Sequence, residues 1–201
     1  MSIQIRIASV DDAAGIQAVY APYCESTPVS FEAAPSVEQI VERVEKVLAG
    51  YPWLVCEVEG AVSGYVYACP HRERAAYRWA VDVAVYVGER FHRRGIGGAL
   101  YDALLSILRR QGYYKAFAGI TLPNSGSVGL HEAMGFQPIG VYRGVGYKLG
   151  SWRDVGWWQL ELQPEIEDPP EPLAFATLRD HPAVAESLRA AAQNAQSAAG
   201  Y

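Results

Sequence analysis

Cysteine, methionine and positive charge are all scarce in this chain. Its 201 residues include three cysteines and two methionines, and 17 basic residues stand against 22 acidic ones, for a formal net charge of -5. An odd number of cysteines without a CxxC pair argues against a disulfide framework and a zinc site, and it fits a cytoplasmic protein. Because proteins that bind nucleic acid usually carry a basic excess, we expect no nucleic-acid partner.

Long apolar runs are missing as well. No stretch is long and apolar enough to span a bilayer, and residues 1–6 lack the features of a signal peptide, so we expect neither a membrane partner nor a cleaved leader. Half of the residues are hydrophobic and 19% are charged, which is ordinary for a globular protein. The length suffices for one compact domain with a real core.

The periodicity of apolar residues predicts the order β-α-α-β-β-β-α-β-α-β-β, which is a mixed α/β sheet. The predicted strands lie near residues 3–7, 53–58, 61–68, 79–87, 115–122, 137–142 and 155–162. The chain then changes character, because residues 164–172 are acidic and rich in proline and residues 179–199 form an alanine-rich helix candidate. We therefore predict a domain at residues 1–163 and a linker with a helical tail at 164–201. The sequence leaves open whether that tail docks on its own domain, docks on a partner or stays disordered.

The strongest local signal is the basic, glycine-rich segment 87–100, in which a β-rich run leads through a loop into an amphipathic helix. Glycines allow close approach of a ligand, and the N–H groups at a helix N-terminus favour anions, so this segment predicts a pyrophosphate cradle. Arg93 and Arg94 can add contacts to phosphate. The loop lacks the Gly-Lys-Ser/Thr of a P-loop and lies in mid-chain, which argues against ATP hydrolysis and against NAD. The alternative is a tight glycine turn with a solvated basic face.

A single carboxylate interrupts the apolar strand at residues 79–87. Asp82 shares a face with the small residues Ala80 and Ala84, which leave space beside it. Desolvation there would raise the pKa of Asp82 towards a value useful for a general base. The alternative is a structural aspartate that pairs with an arginine or caps a bulge.

Two further polar residues follow the next predicted strand. Asn124 stands at the strand end, where its amide can bridge a ligand and the following helix, and His131 lies on that helix. Asn124 can equally be a helix cap, and His131 can equally be a histidine whose hydrogen bonds are satisfied within the fold.

Together these motifs resemble the GNAT acetyltransferase superfamily and, within it, the phosphinothricin or L-amino acid N-acetyltransferase family. The similarity extends from about residue 5 to residue 162. The stretches that carry it are 51–55, 100–101, 122–124, 130–133, 146–148 and 152–156. The resemblance implies the GNAT fold, with a mostly antiparallel sheet flanked by helices, a homodimer, and acetyl-CoA as the acetyl donor without a metal.

The resemblance also assigns roles to residues. It implies that Asp82 takes the place of a catalytic glutamate and that His131 assists. The implied cofactor-binding residues are Val85, Tyr86, Val87, Arg93, Arg94, Gly95, Ile96, Gly97, Gly98 and Asn124. The implied substrate-binding residues are Phe31, Arg74 and Tyr77. The chain departs from the family pattern at three positions. Asp82 is one methylene shorter than glutamate, so water or His131 would close the gap to the amine. His92 replaces a usual Gln or Arg, and Glu32 is acidic where some relatives are basic.

From these residues we predict an N-acetyltransferase that moves acetyl from acetyl-CoA to the amino group of a small amino-acid-like molecule by direct attack in a ternary complex. Phosphinothricin, methionine sulfone, methionine sulfoximine and ordinary amino acids remain open as substrates, and a role in antibiotic or herbicide resistance is implied. The alternatives are a protein N-terminal acetyltransferase and a catalytically silent acyl-CoA-binding module.

Overall fold

A computed structural model describes residues 2–199, so the ends of the two predicted regions, Met1 and residues 200–201, lie outside the described residues. Within these residues, seven strands and six α-helices form the fold. The strands are β1 (Ile3–Ile7), β2 (Trp53–Val58), β3 (Ala61–Pro70), β4 (Ala80–Val87), β5 (Lys115–Leu122), β6 (Gln137–Lys148) and β7 (Ser151–Glu161). The helices are α1 (Ala13–Glu25), α2 (Val37–Gly50), α3 (Ile96–Gln111), α4 (Ser125–Ala133), α5 (Phe175–Leu178) and α6 (Pro182–Ala198).

All seven strands belong to one sheet, in the order β1-β2-β3-β4-β5-β7-β6. Every neighbouring pair is antiparallel except β4 and β5, which run parallel. A parallel pair needs a crossover connection, and α3 supplies it between these two strands. The exceptional pair therefore stands in mid-sheet, directly beside the predicted glycine loop.

Helices cover both faces of the sheet. On one face α1 and α2 bury a cluster with Trp53, Val55 and Tyr65. On the other face α3 lies in the larger cluster, where Leu100, Leu104 and other apolar residues of the helix are fully buried. A half-buried antiparallel sheet would need cover on one face only, so two covered faces explain the apolar content of the central strands.

The predicted order of elements agrees with the structure, and the largest difference lies in the last hairpin. β5 has the predicted bounds, whereas β6 continues to Lys148 and β7 begins at Ser151, so both are longer than predicted. The register of β6 on β7 shifts between Tyr142 and Gly146, and Gly144 adopts a positive φ of 54°. A bulge at a glycine interrupts the alternation that periodicity relies on, and only the pairing with β7 reveals the strand.

The C-terminal segment packs on the rest of the chain. The linker crosses the start of β4, where Trp79 Nε1 donates to the Pro170 carbonyl at 2.8 Å. α6 then lies against α3 and β1, and the Ser106 and Ser187 hydroxyls meet at 2.9 Å. The apolar residues that this segment buries are Phe175, Val184, Ala191 and Ala195. The open question of docking is thereby answered for the described residues, while the division of the chain at residue 163 stays a prediction.

Two further observations concern the described residues alone. None of the helices formed by residues 2–199 is long and apolar enough to cross a membrane. Across the same residues, no three His, Cys, Asp or Glu side chains come together in a group that could hold a metal ion.

Candidate active site

The parallel strands β4 and β5 separate after a short stretch of pairing. Ala80 to Asp82 pair with Lys115 to Phe117, whereas β3 accompanies β4 up to Val87. Over the part of the chain that the structure describes, residues 83–87 of β4 have no partner on the β5 side. The backbone groups that point to that side are left for water or a ligand, except the Val87 carbonyl, which accepts from the Tyr23 hydroxyl. A cleft of about 60 Å³ opens there, lined by Val29, Val83, Ala84, Val85, Tyr86, Gly119, Ile120, Thr121, Asn124, Ser127 and His131.

Asp82 occupies the last paired position, immediately before the strands part. Its side chain is 27% exposed, and its Oδ1 accepts a hydrogen bond of 2.5 Å from Nδ1 of His71. Burial raises the pKa of the Asp82 carboxyl above its usual value, while the hydrogen bond from His71 and the charge of Arg72 oppose that rise. The site therefore contains a half-buried carboxylate that is paired with a histidine, and not with an arginine.

His71 is the residue that sequence reasoning missed. It follows β3 directly, and its ring stacks on Phe117 with 4.3 Å between centroids. The sequence places it in a polar loop without any motif. Only the strand register reveals it, because Cys69 pairs with Asp82 and His71 lies two residues further along on the same face.

His131 lies near the cleft, but it is only 4% exposed. Its Nδ1 donates to the Ser127 carbonyl at 2.7 Å, and its Nε2 accepts from the Tyr101 hydroxyl at 2.7 Å. Burial lowers the pKa of His131 and keeps the ring neutral. Both ring nitrogens have partners inside the fold, and a catalytic role for His131 stays a prediction.

Asn124 caps the helix that follows it and also lines the cleft. Its Oδ1 accepts from the Ser127 N–H at 3.1 Å and so caps the N-terminus of α4. The same residue lines the cleft between β4 and β5. A cap fixes the side chain at the cleft wall, and ligand binding by Asn124 stays a prediction.

The glycine-rich loop turns through two left-handed residues. Arg93 has a φ of 61° and Gly95, the N-cap of α3, has a φ of 77°. The first backbone bond of the helix joins the Ala99 N–H to the Gly95 carbonyl at 3.0 Å, and no side chain caps the helix. The N–H groups of residues 96–98 therefore precede the first intrahelical bond and are available to an anion. The Arg93 and Arg94 side chains are exposed and have no ion pair within residues 2–199.

Packing within the fold also restricts two glycines of the loop. A Cβ at Gly97 would lie 3.0 Å from Cδ2 of Leu130, so this glycine lets α3 and α4 approach each other. A Cβ at Gly95 would lie 2.5 Å from the Cβ of Ala198, near the end of α6. The C-terminal helix thus reaches the beginning of α3, which no pattern in the sequence indicated.

The end of β4 carries the remaining predicted cofactor residues. Val85 and Tyr86 line the cleft. The Val87 carbonyl accepts a 2.6 Å hydrogen bond from the Tyr23 hydroxyl, and Nε2 of His92 lies 2.9 Å from the same oxygen. The His92 side chain is thereby held against the end of the strand.

The predicted substrate residues occupy two surfaces. Arg74 and Tyr77 belong to one short turn after β3, and both are exposed. The Tyr77 ring meets the His71 ring edge-on, with 5.9 Å between the ring centroids. Phe31 lies in the connection between α1 and α2, where its ring packs on Gly146 of β6. A second cleft of about 310 Å³ lies beside Tyr77 and is lined by Ala76, Tyr77, Trp79, Ala80, Tyr114, Lys115, Glu165, Ile166 and Pro169. Along β4, Asp82 therefore lies between this cleft at Ala80 and the narrower one that begins at Val83.

A family model for the acetyltransferase (GNAT) domain matches residues 5–157. The chain belongs to the GNAT acetyltransferase family. A phosphinothricin N-acetyltransferase of Streptomyces viridochromogenes is 42% identical to this GNAT protein over 176 residues, which cover 87% of this chain and 95% of the relative. An L-methionine sulfoximine/L-methionine sulfone acetyltransferase of Pseudomonas paraeruginosa is 33% identical over 174 residues, or 84% of this chain and 100% of that protein.

Solved structures agree with this assignment. The crystal structure of a GNAT superfamily phosphinothricin acetyltransferase from Sinorhizobium meliloti in complex with acetyl-CoA has a TM-score of 0.79 and 29% sequence identity. The match covers 87% of this chain and 99% of the other. The predicted family, the fold and the class of enzyme are confirmed.

Proposed function

We propose that this GNAT enzyme transfers an acetyl group from acetyl-CoA to the amino group of a small, amino-acid-like substrate such as phosphinothricin, methionine sulfone or methionine sulfoximine. The observation that carries the proposal is the position of Asp82, a half-buried carboxylate at the point where β4 and β5 part. The named activities of the relatives from Streptomyces and Pseudomonas support the substrate class.

The residues along the cleft fit the chemical parts of acetyl-CoA. The uncapped N-terminus of α3 and the unpaired guanidinium groups of Arg93 and Arg94 suit a diphosphate, which is an anion with several acceptor oxygens. The edge of β4 at Val85 to Val87, which has no partner strand on the β5 side among residues 2–199, suits the amide-containing arm, and Asn124 stands at the cleft wall. When bound, acetyl-CoA supplies an acetyl group activated as a thioester.

Asp82 provides the proton acceptor. The amine of an amino acid is mostly protonated near neutral pH and must lose a proton before it can act as a nucleophile. Burial raises the pKa of Asp82, which makes the carboxylate a better base than a solvated aspartate. Arg74, exposed on the turn next to Tyr77, suits the carboxylate or phosphinate of the substrate, because a guanidinium group can donate two parallel hydrogen bonds to two oxygens of either anion.

The cysteines favour direct transfer over an acetylated enzyme. Burial, followed by the nearby charge of Asp82, raises the pKa of the Cys69 thiol to about 11. Burial also raises the pKa of Cys56, and Cys24 is buried. Because the thiolate is the nucleophile, a protonated thiol does not accept an acetyl group readily. We therefore retain direct attack by the amine within a ternary complex.

The test is a thiol-release assay with acetyl-CoA and a panel of amines. We expect release with phosphinothricin, methionine sulfone or methionine sulfoximine, and a turnover about 10²–10⁴-fold lower in Asp82→Asn, with acetyl-CoA affinity unchanged by calorimetry. Activity on peptides with a free N-terminus but not on free amino acids would favour a protein N-terminal acetyltransferase. Acetyl-CoA binding without thiol release would favour a silent acyl-CoA-binding module.

A homodimer is part of the proposal. β6 is an edge strand, and the β6–β7 hairpin carries exposed apolar side chains, including Tyr147 at 63% and Trp152 at 68% exposure. Large exposed apolar patches often mark protein interfaces. Light scattering coupled to size exclusion should give twice the chain mass for the wild type and a lower mass for Tyr147→Glu. The matched control is Leu173→Glu, a change at a residue that is exposed on another element. A monomeric wild type would contradict the homodimer.

The proposed place of action is the cytoplasm. The three cysteines are unpaired, with Cys24 and Cys56 buried, and acetyl-CoA is a cytoplasmic metabolite in the proposed reaction. Fractionation of the native host, followed by immunoblotting, should find the chain with cytoplasmic markers. Recovery with periplasmic or secreted markers would contradict this placement.

A further inference from the structure

The histidine that follows β3 is held by contacts with Phe117, Tyr77 and Ala80. The ring of His71 stacks on Phe117, with 20° between the ring planes, and it meets the Tyr77 ring edge-on. The backbone nitrogen of His71 lies 3.4 Å from the Ala80 carbonyl oxygen, to which it donates. Phe117 is the register partner of Asp82. The imidazole thus covers the last paired position of β4 and β5, at the mouth of the gap between them.

The two ring nitrogens of His71 are in different situations. Nδ1 donates to Oδ1 of Asp82 at 2.5 Å. Nε2 makes no hydrogen bond to any of residues 2–199, and it is not among the enclosed polar atoms that lack a partner, so it remains open to solvent. The side chain as a whole is 12% exposed. A carboxylate that binds one nitrogen of an imidazole fixes the tautomer and leaves the other nitrogen as a base.

We propose that Nε2 of His71, rather than the Asp82 carboxylate named above, is the atom that takes the proton from the substrate amine, and that Asp82 acts as a positioning residue for His71. This inference rests on the proposed acetyl transfer and deepens it by naming the catalytic base. The open nitrogen of a ring that is fixed by stacking suits proton transfer to a bound amine. Asp82, whose Oδ1 already accepts from the ring, stabilises the imidazolium that forms.

The proton balance of the step is simple. Nε2 of His71 takes one proton from the substrate ammonium group and later releases it to solvent. The nitrogen–carbon bond then forms while the carbon–sulfur bond of the thioester breaks. The remaining surplus proton on nitrogen ends on the departing sulfur. The products are the acetylated amine, free coenzyme A thiol and one proton in solution.

The substitution that separates the two roles is His71→Asn. An asparagine amide N–H can donate to Asp82 in place of Nδ1–H, but it offers no base at the position of Nε2. We expect turnover to fall by about 10²–10⁴-fold, while calorimetry shows unchanged acetyl-CoA affinity. His181→Gln is the matched control, because His181 caps α6 and has no part in the site. If His71→Asn turned over like the wild type, the proposal would be refuted and Asp82 would be the base.

Two further readouts keep the proposal testable. Free imidazole should restore part of the turnover of His71→Gly, since it fits where the ring lay, and a lack of recovery would count against proton transfer by the ring. Nitrogen-15 NMR of the wild-type protein should find the proton of the neutral His71 ring on Nδ1, and a proton on Nε2 would overturn the assignment. A wild type without thiol release would refute the proposed function instead. The NMR measurement would still decide the tautomer on which the pairing of His71 with Asp82 depends.

Discussion

Replacing Phe175 with alanine measures how far the C-terminal segment contributes to the stability of the domain. Phe175 is fully buried and belongs to the same core cluster as α3 and the central strands. Truncation of a buried phenylalanine costs about 3–5 kcal/mol in free energy of unfolding. In a domain of this length, each kcal/mol lowers the melting temperature by about 2–4 °C, so Phe175→Ala should lower it by about 6–20 °C.

The assay is a thermal melt of the full chain without acetyl-CoA, since a bound ligand would stabilise both proteins by mass action. Leu173→Ala is the matched control, because Leu173 lies two residues earlier and is 50% exposed. We expect the control to change stability by less than about 0.5 kcal/mol. Equal melting temperatures for the two variants would refute the reasoning.

Three further predictions concern the site. Gly95→Ala should cost about 1–3 kcal/mol of stability and weaken acetyl-CoA binding in calorimetry, because Gly95 has a φ of 77° and a Cβ would lie 2.5 Å from that of Ala198; wild-type affinity and stability would contradict this. Arg74→Ala should raise the Michaelis constant of the amine about tenfold or more with turnover kept, since a charge-assisted hydrogen bond contributes about 1.5–3 kcal/mol; a change in turnover alone would show that Arg74 does not hold the substrate anion. Because burial lowers the pKa of His131, the wild type should lose stability as the pH falls from 6.5 towards the lower folded-state pKa. The difference in free energy of unfolding between the wild type and His131→Gln, measured with urea, should therefore shrink as the pH is lowered from 7 to 5. A constant difference would contradict a neutral, buried His131.

The order of elements and the glycine loop could be predicted because both are local properties of the chain. Apolar residues recur at the period of a strand or a helix, so β5 was placed at its observed bounds. The loop at Gly95 combines glycines, basic residues and a helix start within a few positions. Such patterns are set by neighbours in sequence and need no knowledge of distant contacts.

Contacts between distant segments could not be predicted in the same way. His71 precedes Asp82 by 11 residues, and it reaches the carboxylate only because β3 and β4 pair in one particular register. β6 was predicted too short, since the bulge near Gly144 hides its alternation until it pairs with β7. The alanine-rich sequence of α6 gave no sign that the end of this helix lies against Gly95.

The sequence by itself determined the family, the order of strands and helices, and the carboxylate and loop around which the site is built. Local periodicity and motif spacing carry that information directly. Only the tertiary structure decided which side chain pairs with Asp82, that both nitrogens of His131 are engaged, and where the C-terminal helix docks. Those outcomes depend on strand register and on packing between segments far apart in the chain, which no local pattern specifies.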